Sequence, residues 1–379
     1  MAAMPDAVQL TRELLGFNTI NPPGAEQACA QHLGDLLKRA GFAVDYAEFA
    51  PTRTSLVAKI GDQRGGAAGK RPLGFTGHID TVPLGTVAWQ ADAFGASMEG
   101  GKLFGRGSSD MKSGVAAFVC AALRHADVLK RGPGVTLVIT ADEECGCGGA
   151  AYLVKEGNLL GEVGALVIGE PTANYPLVGH KGALWLDVTT RGITAHGSMP
   201  ERGDNAIYKA AAAIGKLRGF EFGGAAHPLM GRATLNVGTV HGGLNINSVP
   251  DATVVGVDIR TIPGQDHALI RGELQRLLGE TVEVTPTIDV GAIYSDPAQP
   301  WLQRVFDITQ LRLGARPQAK TATYFTDAAV LKDAYRDIPM VVLGPGEPQL
   351  AHQTDEYCLL DRIGQAADIY SELIKDWSA

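Results

Sequence analysis

Cysteine is scarce in this chain: there are five in 379 residues, an odd number, scattered except for Cys145 and Cys147. That is no disulfide framework, and it points to a reducing cytoplasm, with the Cys145–Cys147 pair read as small packing residues in a glycine turn. Long apolar runs are missing too. The longest, 115–123, falls far short of the ~20 residues a membrane helix needs. The opening MAAMPDAVQL has no basic segment followed by an apolar core, so neither a membrane nor a secretory route is expected. Runs of Lys or Arg are absent. With 33 basic against 41 acidic residues the formal charge is −8, which argues against nucleic acid or an anionic membrane surface as the main partner. Repeats of 20–50 residues and low-complexity tracts are also lacking; GDQRGGAAGKR (61–71) reads as a hairpin turn.

Several nucleotide and nucleophile signatures fail on inspection. Gly69-Lys70 and Gly101-Lys102 would each need an earlier glycine where Arg64 and Ala96 stand, and Arg71 and Leu103 follow where a phosphate loop has Ser or Thr. GRGSSD lacks the third glycine of a dinucleotide fingerprint, and no G-x-S-x-G elbow occurs.

What the chain does have is glycine, 48 residues against the ~7% of an average protein, and 45% hydrophobic residues, enough for a sizeable core. Short runs that are apolar on both faces, PLGFTG (72–77), VTLVIT (135–140), GALVIG (164–169) and PMVVLG (339–344), alternate with helical stretches, one of them running from about Val115 to about Lys130. The pattern predicts an α/β domain whose mostly parallel, mixed sheet is flanked by helices. Between them the rhythm changes. ALWLDVTT, ATLNVGTV, TVVGVDIRTI and TVEVTPTI read as strands, with helices NAIYKAAAAIGKL (Asp204 as N-cap) and DHALIRGELQRLL, in the order β-α-β-β-α-β. This predicts a ferredoxin-like domain at 180–291 inserted into a catalytic domain of 1–179 and 292–379.

Polar residues gather where the buried strands end. GHID, ADEE, GEPT and GPGEPQLAH follow the four strands, and GRGSSDMKSG sets Asp110 in a glycine-rich turn before the long helix. Ligands bind beyond the carboxyl ends of the strands in such sheets. His78, Asp110, Glu144, Glu170 and His352 thus form a set of two imidazoles and three carboxylates, donors that suit Zn²⁺, with Co²⁺ or Mn²⁺ as substitutes. Five donors fill two sites if one carboxylate bridges. Asp80 is placed to hold the other ring N–H of His78. Glu143, beside a ligand but left over, is a general base for water activated by the metal. The remaining histidines, His180 and His267 among them, read as solvated.

GHIDTVP, GRGSSDMKSG, ADEECGCGGA, GEPT and AHQTDEY resemble, in order and spacing, the M20 family of dizinc metallohydrolases, which includes acetylornithine deacetylase, succinyl-diaminopimelate desuccinylase, aminoacylases and glutamate carboxypeptidases. The resemblance implies two Zn²⁺ per subunit, with Asp110 bridging, His78 and Glu170 completing one site and Glu144 and His352 the other. It implies a cis Asp110–Met111 peptide and a lid that forms a homodimer. His196, in TAHGSMP, would be lent across the dimer to polarise the scissile carbonyl. Asn245, Arg260 and Thr326 would bind the substrate, a small N-acyl amino acid or dipeptide with a free carboxylate. ADEECGCGGA and the AHQTDEY ending look most like acetylornithine-deacetylase-type members, whereas TYFTDAAVL also resembles glutamate carboxypeptidases, and Lys181 stands where desuccinylases carry Arg. A carboxypeptidase or dipeptidase is thus the alternative; a non-catalytic binding protein would have lost a ligand or Glu143, and none is missing.

Overall fold

The computed structural model describes residues 6–63 and 69–379, so the centre of the 61–71 turn lies outside the described residues. The chain divides into two compact units. The first comprises Met1–Gly179, Tyr294–Lys320 and Thr326–Ala379, the second His180–Ile293 with Thr321–Phe325.

The first unit is built on a six-stranded sheet in the order Ala43–Ala50, Arg53–Ile60, Val135–Thr140, Leu73–His78, Ala165–Ile168, Met340–Val342. The last four run parallel, and the first two join as an antiparallel hairpin at one edge. Leu73–His78 and Val135–Thr140 are buried along their whole length, as strands covered on both faces must be. The helix Lys112–Arg124 is buried almost throughout and packs against Ala7–Leu15 and Leu360–Ser378. Phe118 stacks on Phe75 at 5.8 Å, and Tyr370 meets the same ring edge-on at 5.5 Å.

That helix begins earlier than the sequence suggests and ends at Arg124, a second short helix, Ala126–Leu129, completing the stretch. Gly114 lies in its first turn. Glycine weakens helices, but a Cβ here would stand 2.0 Å from the Gly169 carbonyl oxygen. Close approach to the strand end requires the glycine.

The second unit is a four-stranded antiparallel sheet in the order Thr234–Gly242, Ala252–Thr261, Gly182–Arg191, Val282–Val290. Leu184, Leu186, Val188, Val255, Val257 and Ile259 alternate along two strands and pack on Ala210, Ala213 and Leu217 of helix Ala206–Arg218 and on Ile270 and Leu274 of helix His267–Leu278. Period-two alternation places Trp185, Asp187, Asp258 and Arg260 on the opposite face. Pro286 is tolerated because its strand is an edge, and the register slips between Pro286 and Ile288. The N-cap of the first helix is Asn205, whose side chain accepts from the Ile207 and Tyr208 amides. Asp204, expected in that role, instead pairs with Lys209. Among the described residues no helix is long and apolar enough to cross a membrane.

Candidate metal centre

Parallel strands point their carboxyl ends one way, and the polar residues that follow them meet there. His78 ends its strand, Glu170 follows Ala165–Ile168 by two residues, and the turn after Val135–Thr140 carries Glu143 and Glu144. Asp110 precedes the buried helix through a cis Asp110–Met111 peptide. Its two carboxylate oxygens face different ways: Oδ1 is 3.2 Å from His78 Nε2, and Oδ2 is 3.5 Å from His352 Nε2. Glu170 lies 3.7 Å from His78 Nε2, and Glu144 lies 3.1 Å from His352 Nε2. Two donor sets result, His78–Asp110–Glu170 and Asp110–Glu144–His352, each with its donor atoms within 4.8 Å of one another and with Asp110 common to both.

Electrostatics say what such a cluster is suited to hold. Burial, then the Asp110 charge, pushes Glu144 up to about 7. Burial also raises Glu143 and Glu170 well above the usual range, with the charges of Glu170 and Glu144 adding to the shift of Glu143 and those of Asp110 and Glu144 to the shift of Glu170. Hydrogen bonds to Asp110 and Glu144 hold His352 up at about 10; for His78, burial would lower the value, but Glu170, Asp110 and Asp80 outweigh it. Glu144 Oε1 is buried with no hydrogen-bond partner, a costly state for a carboxylate oxygen. Crowded anions, imidazoles that stay protonated and an orphaned oxygen all fit divalent cations bound to N and O donors.

The surroundings of these residues are built as carefully as the donors. Glu356, fully buried, accepts the amides of Gly107, Ser109 and Asp110 at 2.8–3.0 Å and the Arg106 guanidinium at 2.7 Å. It therefore fixes the turn that presents Asp110. Asp80 meets the ring of His78 and does a second job beside it. The Nδ1 of His78 is 3.0 Å from Asp80's main-chain oxygen and 3.5 Å from its carboxylate. That carboxylate also accepts from the Glu143 amide (3.1 Å), the Glu144 amide (3.2 Å) and Asn21 Nδ2 (2.9 Å). Glu356 and Asn21 escape a reading of motifs after strands; the only sequence trace of Glu356 is its place inside AHQTDEY.

Glu143 is buried at 3.9 Å from His78 Nε2 and belongs to neither donor set. Thr326 is buried, its Oγ1 accepting from the Ala328 amide at the start of helix Ala328–Tyr335. His196, Asn245 and Arg260 belong to the second unit. His196 is exposed, and its Nδ1 accepts from the Ser198 amide (3.1 Å) and lies 2.7 Å from the Ser198 hydroxyl. Asn245 is exposed in the loop after Thr234–Gly242. Arg260 is half-buried, its Nε 2.9 Å from Asp258 and its guanidinium 5.7 Å from the centre of the Trp185 ring. None of the five cysteines is in a disulfide; Cys147 is buried and Cys145 exposed. Two histidines expected in solvent are not there: His180 is fully buried, and His267 bridges Thr261 and Asp289 at 2.8 and 2.6 Å.

Comparison with known proteins agrees with this geometry. Residues 74–376 match the model of peptidase family M20/M25/M40. The chain is 30% identical to a probable succinyl-diaminopimelate desuccinylase of Staphylococcus epidermidis and 30% identical to an acetylornithine deacetylase of Photorhabdus laumondii, in each case over 98% of this chain and 97% of the relative. The fold matches an M20 family metallo-carboxypeptidase from Sulfolobus solfataricus with a TM-score of 0.83 at 17% identity, covering 99% of this chain and 100% of that one. The chain is a hydrolytic enzyme acting on amide bonds, and it belongs to peptidase family M20/M25/M40.

Proposed function

We propose that this enzyme is a dizinc amide hydrolase that removes the acyl group from an N-acyl amino acid. The observation that carries the reading is the pair of donor sets sharing Asp110, with Glu143 beside them and uncommitted. His78 and Glu170 would hold one ion, Glu144 and His352 the other, with Asp110 between. Two zinc ions, or cobalt or manganese in their place, would polarise the amide carbonyl and acidify water. Glu143 takes the proton from that water and delivers it to the departing amine. Burial raises its affinity for a proton, which suits a group that must hold one between two steps.

The second unit, with its β-α-β-β-α-β order and helices on one face, is read as the ferredoxin-like lid and dimerisation domain, 180–291 in the sequence reading, with 1–179 and 292–379 as the catalytic domain. Ser198 supports the role of His196: with Nδ1 accepting from the Ser198 amide, a neutral ring carries its proton on Nε2. That exposed N–H is a donor for the developing oxyanion in the site of a second copy. Arg260 and Asn245 would hold the substrate carboxylate, a role that suits a guanidinium fork, and Thr326 is read as a further substrate-binding residue.

Metal-loaded protein assayed against N-acetyl-ornithine, N-succinyl-diaminopimelate, other N-acyl amino acids and dipeptides tests the reading. An N-acyl amino acid should give the highest kcat/KM. A preference for dipeptides would replace deacylation with dipeptidase or carboxypeptidase action, and activity indifferent to chelators would remove the metal mechanism altogether.

A further inference from the structure

Behind the turn that carries Glu143 and Glu144 lies a buried ionic chain that the proposed mechanism does not use. Arg53, the first residue of its strand, directs Nε and Nη2 onto the carboxylate of Glu26 at 2.8 and 3.0 Å. Glu26 is fully buried, and the Arg53 side chain is 13% exposed. The same Nη2 reaches the Asp142 carboxylate at 2.6 Å. Asn21 Nδ2 bridges Asp142 (2.8 Å) and Asp80 (2.9 Å), and Asp80 accepts the amides of Glu143 and Glu144.

Two features show that this arrangement is built around the guanidinium. Gly24 sits against it with φ +78°, and a Cβ there would stand 2.1 Å from Arg53 Nε. Phe49 offers its ring to the same group at 5.3 Å. Asp142 itself has φ +65°, the left-handed region that a non-glycine residue keeps only where its surroundings hold it there. Its carboxylate is held by Arg53 and Asn21, and the residue after it is Glu143.

We infer that Arg53 is a positioning residue for Glu143: by clamping Asp142 against Glu26 it holds the turn that aims the general base. The inference rests on the proposed role of Glu143, and it predicts which substitutions act through that residue. Lysine at position 53 keeps the charge but has no planar fork to serve two carboxylates at once.

The test uses full-length, metal-loaded protein and the best substrate of the panel above. Arg53→Gln should lower kcat by roughly 10–100-fold, the scale of a misplaced catalytic group, with KM and bound-metal stoichiometry unchanged. Arg53→Lys should recover part of the loss. In a Glu143→Gln background, Arg53→Gln should have little further effect, because residues acting as one unit are not additive. Wild-type kcat in a folded Arg53→Gln variant would overturn the inference. So would an equal loss from Arg53→Gln with and without Glu143, which would mark a general structural role. If Arg53→Gln does not fold, Asp142→Asn and Asn21→Ala test the same link from the turn side, with the same expected split and the same overturning results. Full activity in Glu143→Gln alone would sink the general-base reading instead, a result separable from any outcome at Arg53.

Discussion

Glu356 shows how much of a metal centre can depend on a residue that touches no metal. It satisfies three amides of the Asp110 turn and the guanidinium of Arg106, which is itself 1% exposed. Removing one partner of a buried ion pair leaves the other charge uncompensated, at a cost of ~3–5 kcal/mol. Glu356→Ala should therefore lose several kcal/mol in urea denaturation and bind less metal, since the Asp110 turn is no longer held. Glu356→Gln, which keeps an acceptor for the amides, should lie between. An alanine variant as stable as the parent, with full metal content, would show that the turn holds itself. The five proposed ligands were legible because each follows a buried strand or opens a buried helix, where chemistry is concentrated. Glu356, Asn21, Glu26 and Arg53 were not, because each acts on a partner far away in sequence. Asp80 was legible as part of the site, but its hold on the Glu143 and Glu144 amides was not, because those amides are far away in sequence.

At the scale of elements, strands apolar on both faces stood out. The antiparallel hairpin Ala43–Ala50 and Arg53–Ile60 did not, because its outer strand is largely half-exposed and lacks that signature. The helix start near Gly114 was misplaced for a tertiary reason, the carbonyl of Gly169. In the second unit, hydrophobic periodicity placed all four strands and both helices to within a few residues. One strand there raises a question that its neighbours do not. Thr234–Gly242 is an edge strand, exposed along most of its length, with Val240 50% exposed. Leu244 and Ile246 just beyond it are 96% and 102% exposed. Unpaired edges with apolar side chains invite pairing with another chain. If this edge joins two copies, the parent should run as a dimer in light scattering, and Val240→Lys with Ile246→Lys should run as a monomer with its fold intact. A monomeric parent would rule out the dimer and with it the role given to His196.

At the scale of the whole molecule, the formal charge of −8 is unevenly spread: Asp80, Asp110, Glu143, Glu144 and Glu170 stand together at the strand ends. Without cations such a cluster keeps protons that an unfolded chain would release. Glu144 ordinarily titrates near 4.5, and burial beside Asp110 moves it to about 7. As pH rises through that window, the folded state loses the advantage of the retained proton. His352 ordinarily titrates near 6.5, and its bonds to Asp110 and Glu144 move it to about 10. Its contribution is complete below 6.5 and fades as pH climbs toward 10. Both signs agree, so the chelated protein should become less stable from about pH 4.5 to about pH 10. Divalent ions require the deprotonated ligands and so bind more tightly over the same range. The gap in melting temperature between zinc-loaded and chelated protein should therefore widen with pH. Taking the difference removes the titration of groups remote from the site, which is common to both samples. A gap that stays constant or narrows would show that these carboxylates and imidazoles do not exchange their protons for metal.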